Sequence, residues 1–213
     1  MTKPTFAPAA RLGCIASIAL ASVVPSSLVL LPTPGLATTS PPAAKTPLNK
    51  GCPAVLNVTL PRLQDEKPID VCSVAGKVTL VVNTASKCGF TGQYEALETL
   101  HKKYGSKGLA VLGFPTGDFA NQEYASNSQI ASFCKNTFGI QFPMFAKSTT
   151  VATSPALNPV YKNLYALGLP SPGWNFNKYL ILPDGTVRHY AAGVSPLNSE
   201  IEQLIAQHVT NQQ

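Results

Sequence analysis

The stretch Val78-Thr-Leu-Val-Val-Asn83-Thr-Ala-Ser-Lys-Cys88-Gly-Phe-Thr91 decides how the chain is read. Its first residues are a continuous apolar, β-branched run of the kind buried on both faces of a sheet. The run ends in a loop of small residues, and Cys88 stands just before a segment with helical character. A sulfur at the C-terminal end of a strand and near a helix N-terminus sits where unsatisfied backbone N–H groups favour thiolate over thiol. The alternative for this segment alone is a buried structural cysteine.

Working outward, Tyr94, Leu97, Leu100 and Tyr104 recur at spacings of three and four, which predicts a helix over Gln93–Tyr104 ended by Gly105. Leu109–Phe114 reads as a second buried strand closed by Pro115. Strand, helix and strand make a βαβ unit, with a right-handed crossover and parallel pairing. The loop Pro115–Asn127 leaves the same sheet edge as Cys88, the edge at which open α/β sheets place their sites. Ser126 and Gln129 form a capping box for a helix over Asn127–Phe138, whose Ile130, Phe133, Cys134 and Thr137 share a face. On position alone Cys134 is a core-filling thiol. Further on come a short strand at Phe142–Phe145 and a helix from Pro159 to Ala166. A hairpin of Trp174–Leu182 with Thr186–Ala191 turns at Pro183-Asp-Gly185, and Ser195-Pro196 opens the last helix. This order predicts an α/β, thioredoxin-like fold: a central mixed sheet flanked by helices, with an added N-terminal β-hairpin.

The front of the chain reads differently. Lys3 and Arg11 precede an apolar run from Leu12 to Leu31, and Gly35-Leu36-Ala37 offers small residues for cleavage. Residues 1–37 are therefore expected to be a secretory signal peptide, the competing reading being an uncleaved anchor. Cys14 lies at the start of the apolar run and not after it, which argues against a lipoprotein. Residues 38–50, rich in Pro, Thr and Ala, read as a disordered linker, and 51–213 as the folded domain. Removing the leader takes away two basic residues and no acid, so the formal charge falls from +6 to +4. So small a surplus, without basic–aromatic interleaving, argues against nucleic-acid binding.

Cys52, Cys72, Cys88 and Cys134 remain, and four cysteines allow three pairings. Cys52 and Cys72 flank a hairpin-like stretch that brings its ends together, so they are expected to form a structural disulfide worth about 3 kcal/mol in the chain-entropy model. Cys88 and Cys134 are left over.

Four segments converge on one edge: N-T-A-S-K-C-G-F-T (83–91), L-G-F-P-T-G-D-F-A-N-Q-E (112–123), F-P-M-F (142–145) and W-N-F-N-K-Y-L (174–180). Together, in order and with matching gaps, they closely resemble the glutathione peroxidase family in its cysteine-containing bacterial form. The resemblance spans roughly Cys52 to Ile205. It implies that Cys88 is the peroxide-reacting residue and that Gln122, Trp174 and Asn175 complete the catalytic set. The chemistry fits: two amides and an indole N–H are neutral donors able to stabilise a sulfur anion and a departing oxygen. It also implies that Phe133-Cys134 supplies a resolving cysteine, which condenses with the Cys88 sulfenic acid. Because disulfide geometry needs Cα atoms within about 7 Å, partial unwinding of the Ser126–Phe138 helix is expected during turnover.

Members with a resolving cysteine generally draw electrons from thioredoxin-like proteins; glutathione is the other candidate donor, with Lys87 and Lys178 the nearest basic residues, both expected to be solvated. One loop departs from the family pattern: Thr116 and Asp118 stand where F-P-C-N-Q-F is common, and Asp118 is expected to be a solvated loop acid unless it faces Cys88. No cofactor or metal is expected. The chain lacks the insertion before W-N-F that tetrameric members use, so a monomer is expected, exported to the periplasm or beyond. The rival readings are an exported thiol–disulfide oxidoreductase, opposed by Thr91 where C-x-x-C would place a second cysteine, and a non-enzymatic peroxide sensor or relay. A peroxiredoxin is disfavoured because no Thr stands two or three residues before the cysteine.

Overall fold

The computed structural model describes residues 40–49 and 51–210; the expected leader lies outside the described residues. The βαβ unit forms as read. Strand β6 (Val78–Thr84) runs parallel to β7 (Leu109–Pro115), joined by helix α1 (Gln93–Tyr104). Every residue of β6 and β7 is buried, which is why neither strand alternates polar with apolar. Two antiparallel strands, β8 (Lys178–Ile181) and β9 (Thr186–Tyr190), extend the sheet beyond β6.

Each face of the sheet carries its own core. Leu80, Val82, Val111 and Leu180 pack with Leu97 and Leu100 of α1, Ile130 of α2 (Asn127–Phe138), and Ile201 and Ile205 of α4 (Glu200–Thr210). Val81, Leu112, Phe114, Tyr179 and Val187 pack on the other side with Val160, Tyr161 and Leu164 of α3 (Pro159–Ala166). Alternate strand residues feeding two opposed clusters is the period-two geometry of a sheet covered on both faces. The architecture is the thioredoxin-like α/β fold expected.

The N-terminal region corrects one reading. Residues 38–50 were expected to be a disordered linker, yet Ala43–Lys45 form strand β1 against the free edge of β9. Leu48–Asn49 form β2, paired with β3 (Cys52–Pro53). The segment has no hydrophobic period, but an open strand edge supplies backbone partners that need none. The sheet order is thus β1-β9-β8-β6-β7. The expected hairpin is present as β4 (Thr59–Pro61) and β5 (Pro68–Asp70). Cys52 and Cys72 are bridged across it, with Cα atoms 5.7 Å apart.

Three boundaries shift. Phe142–Phe145 makes isolated bridges, Met144 to Gly113 and Phe145 to Arg62, in place of a strand. The strand expected from Trp174 starts only at Lys178, because Phe176 adopts a left-handed φ of 62° that no extended strand accommodates. The last helix begins at Glu200: the Ser199 hydroxyl accepts the Ile201 N–H at 3.2 Å and caps it there. The Ser126–Gln129 capping box of α2 is present on both sides.

Candidate active site

Three connections leave the same end of the sheet: residues 85–92 after β6, 116–126 after β7, and 171–177 before β8. Cys88 lies in the first. The Thr91 hydroxyl braces that loop, accepting the Cys88 N–H and donating to the Ala85 carbonyl, each at 2.9 Å. Thr91, read from sequence only as a missing second cysteine, is therefore a structural tie. Cys88 is 8% exposed and a free thiol. Its sulfur accepts the Phe90 N–H at 3.4 Å, the backbone donation expected of a placed sulfur, although turn residues 89–92 separate it from α1.

The second connection is sewn to the first. Lys87 N–H donates to the Gln122 carbonyl at 2.9 Å, and Ser86 N–H to Glu123 Oε1 at 3.2 Å. Ala120 and Asn121 both hold left-handed φ values, 51° and 52°, just before Gln122; non-glycine residues adopt that region only where surroundings enforce it. Glu123 was not singled out from sequence. Its carboxyl is buried and held above the usual range by that burial, against the opposing pull of hydrogen bonds from Ser86 and Tyr124.

The third connection brings Trp174 and Asn175. Asn175 is fully buried, and its Nδ2 donates to Gln122 Oε1 at 3.0 Å. This leaves the Gln122 side-chain N–H groups free to donate elsewhere. Trp174 is 38% exposed, with its ring 5.8 Å from that of Phe119. Phe90 is 37% exposed on the Cys88 loop. Gln122 and Asn175 thus meet next to the Cys88 loop as expected. Among the described residues the hydrogen bond to the resting Cys88 Sγ comes from Phe90 N–H. The Asn175–Gln122 bond holds the two amides together at this edge.

Cys134 is a free thiol, 2% exposed on the inner face of α2. Burial pushes it up to about 11; the Glu123 charge adds to this, while a hydrogen bond from Tyr94 opposes it. A cavity of about 620 Å³ lies beside it, lined also by Leu63, Ile140 and Met144. Two charged residues depart from expectation. Asp118 neither floats in solvent nor bonds Cys88; it accepts the Thr150 N–H and hydroxyl at 2.6 and 2.9 Å. Burial alone would raise its carboxyl, but these bonds and one from Thr116 bring it below the usual range. Lys178, expected to be solvated, is fully buried, and its Nζ donates to the carbonyls of Ala192 and Val194 at 3.0 and 2.6 Å. Lys87 does lie at the surface, its ammonium 4.2 Å from the centre of the Tyr124 ring.

A thioredoxin-like sheet with one placed cysteine at its loop-bearing edge, and no second cysteine in the same turn, fits a thiol enzyme of peroxidase type. Comparison with known proteins agrees. The sequence profile described as "Glutathione peroxidase" matches residues 57–165. A glutathione peroxidase-like peroxiredoxin of Schizosaccharomyces pombe is 41% identical over 152 residues, 68% of this chain and 95% of that protein. A protein named hydroperoxy fatty acid reductase, from Synechocystis, is 36% identical over 66% of this chain and 90% of its own length. The crystal structure of GPX1 of T. cruzi superposes with a TM-score of 0.56 at 28% identity, covering 73% of this chain and 96% of that one. A secreted Mycobacterium tuberculosis disulfide oxidoreductase shares the fold at a TM-score of 0.51 and 17% identity, over 72% of this chain and 97% of that one. The chain belongs to the glutathione peroxidase family and is a glutathione peroxidase-like thiol peroxidase.

Proposed function

We propose that the protein reduces hydroperoxides at Cys88 and resolves the product through Cys134. The Cys88 thiolate attacks the near oxygen of the peroxide, the O–O bond breaks, and the far oxygen leaves as water or an alcohol with a proton. Cys88 becomes a sulfenic acid. The Cys134 thiol then displaces its hydroxyl as water, forming a Cys88–Cys134 disulfide, and a dithiol donor returns both sulfurs to thiols. Gln122, Asn175 and Trp174 act as neutral donors to the oxygens in the first step. The observation that carries this reading is the Asn175–Gln122 amide pair, fastened beside the Cys88 loop with the Gln122 side-chain N–H groups unspent among the described residues.

Exposed Phe90 and Trp174, with Phe119 against the indole, make an apolar rim that favours organic hydroperoxides over hydrogen peroxide. The name of the Synechocystis relative points the same way. A buried resolving thiol supports a thioredoxin-like donor over glutathione, because the disulfide must be presented on a reorganised surface. The bridged Cys52–Cys72 pair fits an oxidising compartment, and with the leader-like sequence of residues 1–37 supports export, to the periplasm or beyond.

Peptide mapping after one equivalent of peroxide tests the scheme: a Cys88–Cys134 linkage is expected, and overoxidised Cys88 with free Cys134 rejects it. Cys88→Ser abolishes turnover. Cys134→Ser permits one reaction and then stalls recycling by a thioredoxin-like donor.

A further inference from the structure

The turn carrying Trp174 and Asn175 is held from behind by groups that the peroxidase chemistry does not itself use. The Trp174 carbonyl accepts two side-chain amides, Asn83 Nδ2 at 2.9 Å and Asn177 Nδ2 at 2.8 Å. Asn83 Oδ1 accepts the Asn177 N–H at 2.9 Å, and the Asn83 carbonyl accepts the Phe176 N–H at 2.6 Å. His189, on β9, places Nε2 2.9 Å from Asn177 Oδ1. Since Asn177 Nδ2 is already committed to Trp174, its Oδ1 is the acceptor and His189 Nε2 carries the proton. The imidazole is itself fixed against Tyr179, ring centres 4.8 Å apart. Asn83 is fully buried, and Asn177 and His189 are 3% and 9% exposed.

The arrangement opposes a local cost. Phe176 is a fully buried aromatic residue in left-handed conformation, a state that is unfavourable for a non-glycine residue. The strained residue directly follows Asn175, so relaxing it would swing the Asn175 amide away from Gln122. We infer that Asn177, locked by His189, is a positioning residue for the peroxidase reaction: it clamps the Trp174 carbonyl so that the Trp174–Asn175 turn presents its donors to the peroxide. This rests on reading Asn175 and Trp174 as donors in the peroxide step. Neither Asn177 nor His189 touches the reacting atoms; they act through the turn.

The experiment uses the single tryptophan, which lies in the turn itself. Stopped-flow fluorescence of the reduced protein mixed with hydrogen peroxide gives the second-order rate constant of Cys88, and the resting emission maximum reports the setting of Trp174. Asn177→Asp keeps the size and the acceptor for His189 but sets an oxygen against the Trp174 carbonyl. It is expected to slow the peroxide step about tenfold or more, since small misplacements of positioned groups cost that much, and to shift the emission maximum. His189→Phe keeps the ring contact with Tyr179, loses the hydrogen bond, and is expected to fall in the same direction. His189→Gln, whose amide N–H can reach Asn177, is expected to recover most of the rate. Folded Asn177→Asp and His189→Phe proteins with wild-type rate and emission overturn the inference. Should Asn177→Asp fail to fold, the contrast between His189→Phe and His189→Gln decides, and equal rates overturn it. Asn175→Ala separates the layers: a wild-type rate there overturns the reading of the site itself. A slow Asn175→Ala beside a wild-type Asn177→Asp overturns only the positioning role.

Discussion

Replacing Lys178 by methionine removes a titratable amine from the middle of a core and exposes how much its burial costs. Lys178 is fully buried, and burial lowers its pKa from 10.5 to about 7. In the unfolded chain it holds its proton up to about 10.5, so between about pH 7 and 10.5 folding must release a proton. The stability this linkage permits is fully present above 10.5 and is lost as pH falls toward 7, by about 1.4 kcal/mol per pH unit. Between pH 10 and pH 7 the loss works out at about 3–4 kcal/mol. Two hydrogen bonds work the other way. Methionine leaves the Val194 carbonyl without its Lys178 Nζ donor, while Ala192 keeps a second donor in Gln93 Nε2 at 2.8 Å; an orphaned carbonyl costs about 1–3 kcal/mol. The variant is therefore expected to be less stable than wild type at pH 10 and more stable, by about 1–3 kcal/mol, at pH 7. Urea unfolding of both proteins across this range, read by far-UV circular dichroism with the disulfide intact, measures the difference. Other groups titrating in the range, Cys134 among them, contribute equally to both proteins and cancel. Parallel stability–pH curves would show that Lys178 does not lose its proton on folding and would refute the reasoning.

The remaining predictions follow from single contacts. Cys52→Ser opens the bridge between β3 and the segment before β6, and is expected to cost about 2–4 kcal/mol while leaving the peroxide step intact; a block in recycling equal to that of Cys134→Ser would mean the pairing of functions is wrong. Asp118→Asn weakens the tie to Thr150 and is expected to cost about 1–3 kcal/mol at neutral pH. Because the Asp118 pKa is lowered on folding, its contribution is present above the ordinary value of 3.8 and fades as pH falls through the lowered one, so the deficit should shrink in acid; a deficit that grows there contradicts this. In the reduced native protein, iodoacetamide should label Cys88 well before Cys134, whose thiol is buried and raised to about 11. Equal labelling rates, measured by mass spectrometry, would show α2 already open at rest.

Several features were legible because they are local. The apolar runs of β6 and β7, the three-and-four spacing of α1 and the Ser126–Gln129 box each depend on neighbours a few residues apart, and each is where the sequence puts it. The Cys52–Cys72 bridge was readable for a related reason: the hairpin between the two residues is itself a local structure. Cys88 and the four motif segments likewise marked one edge without any coordinates. What only the tertiary structure decided are pairings between groups far apart in the chain. Residues 43–45 carry no strand signal, and become one because β9 offers an open edge. Lys178 reads as a surface cation in any sequence window, yet the carbonyls that hold it belong to a turn 14 and 16 residues away. The roles of Asn83, Asn177 and His189 depend on β6, β8 and β9 lying side by side, and a hydrogen bond across strands leaves no periodic trace in the sequence from which to read it.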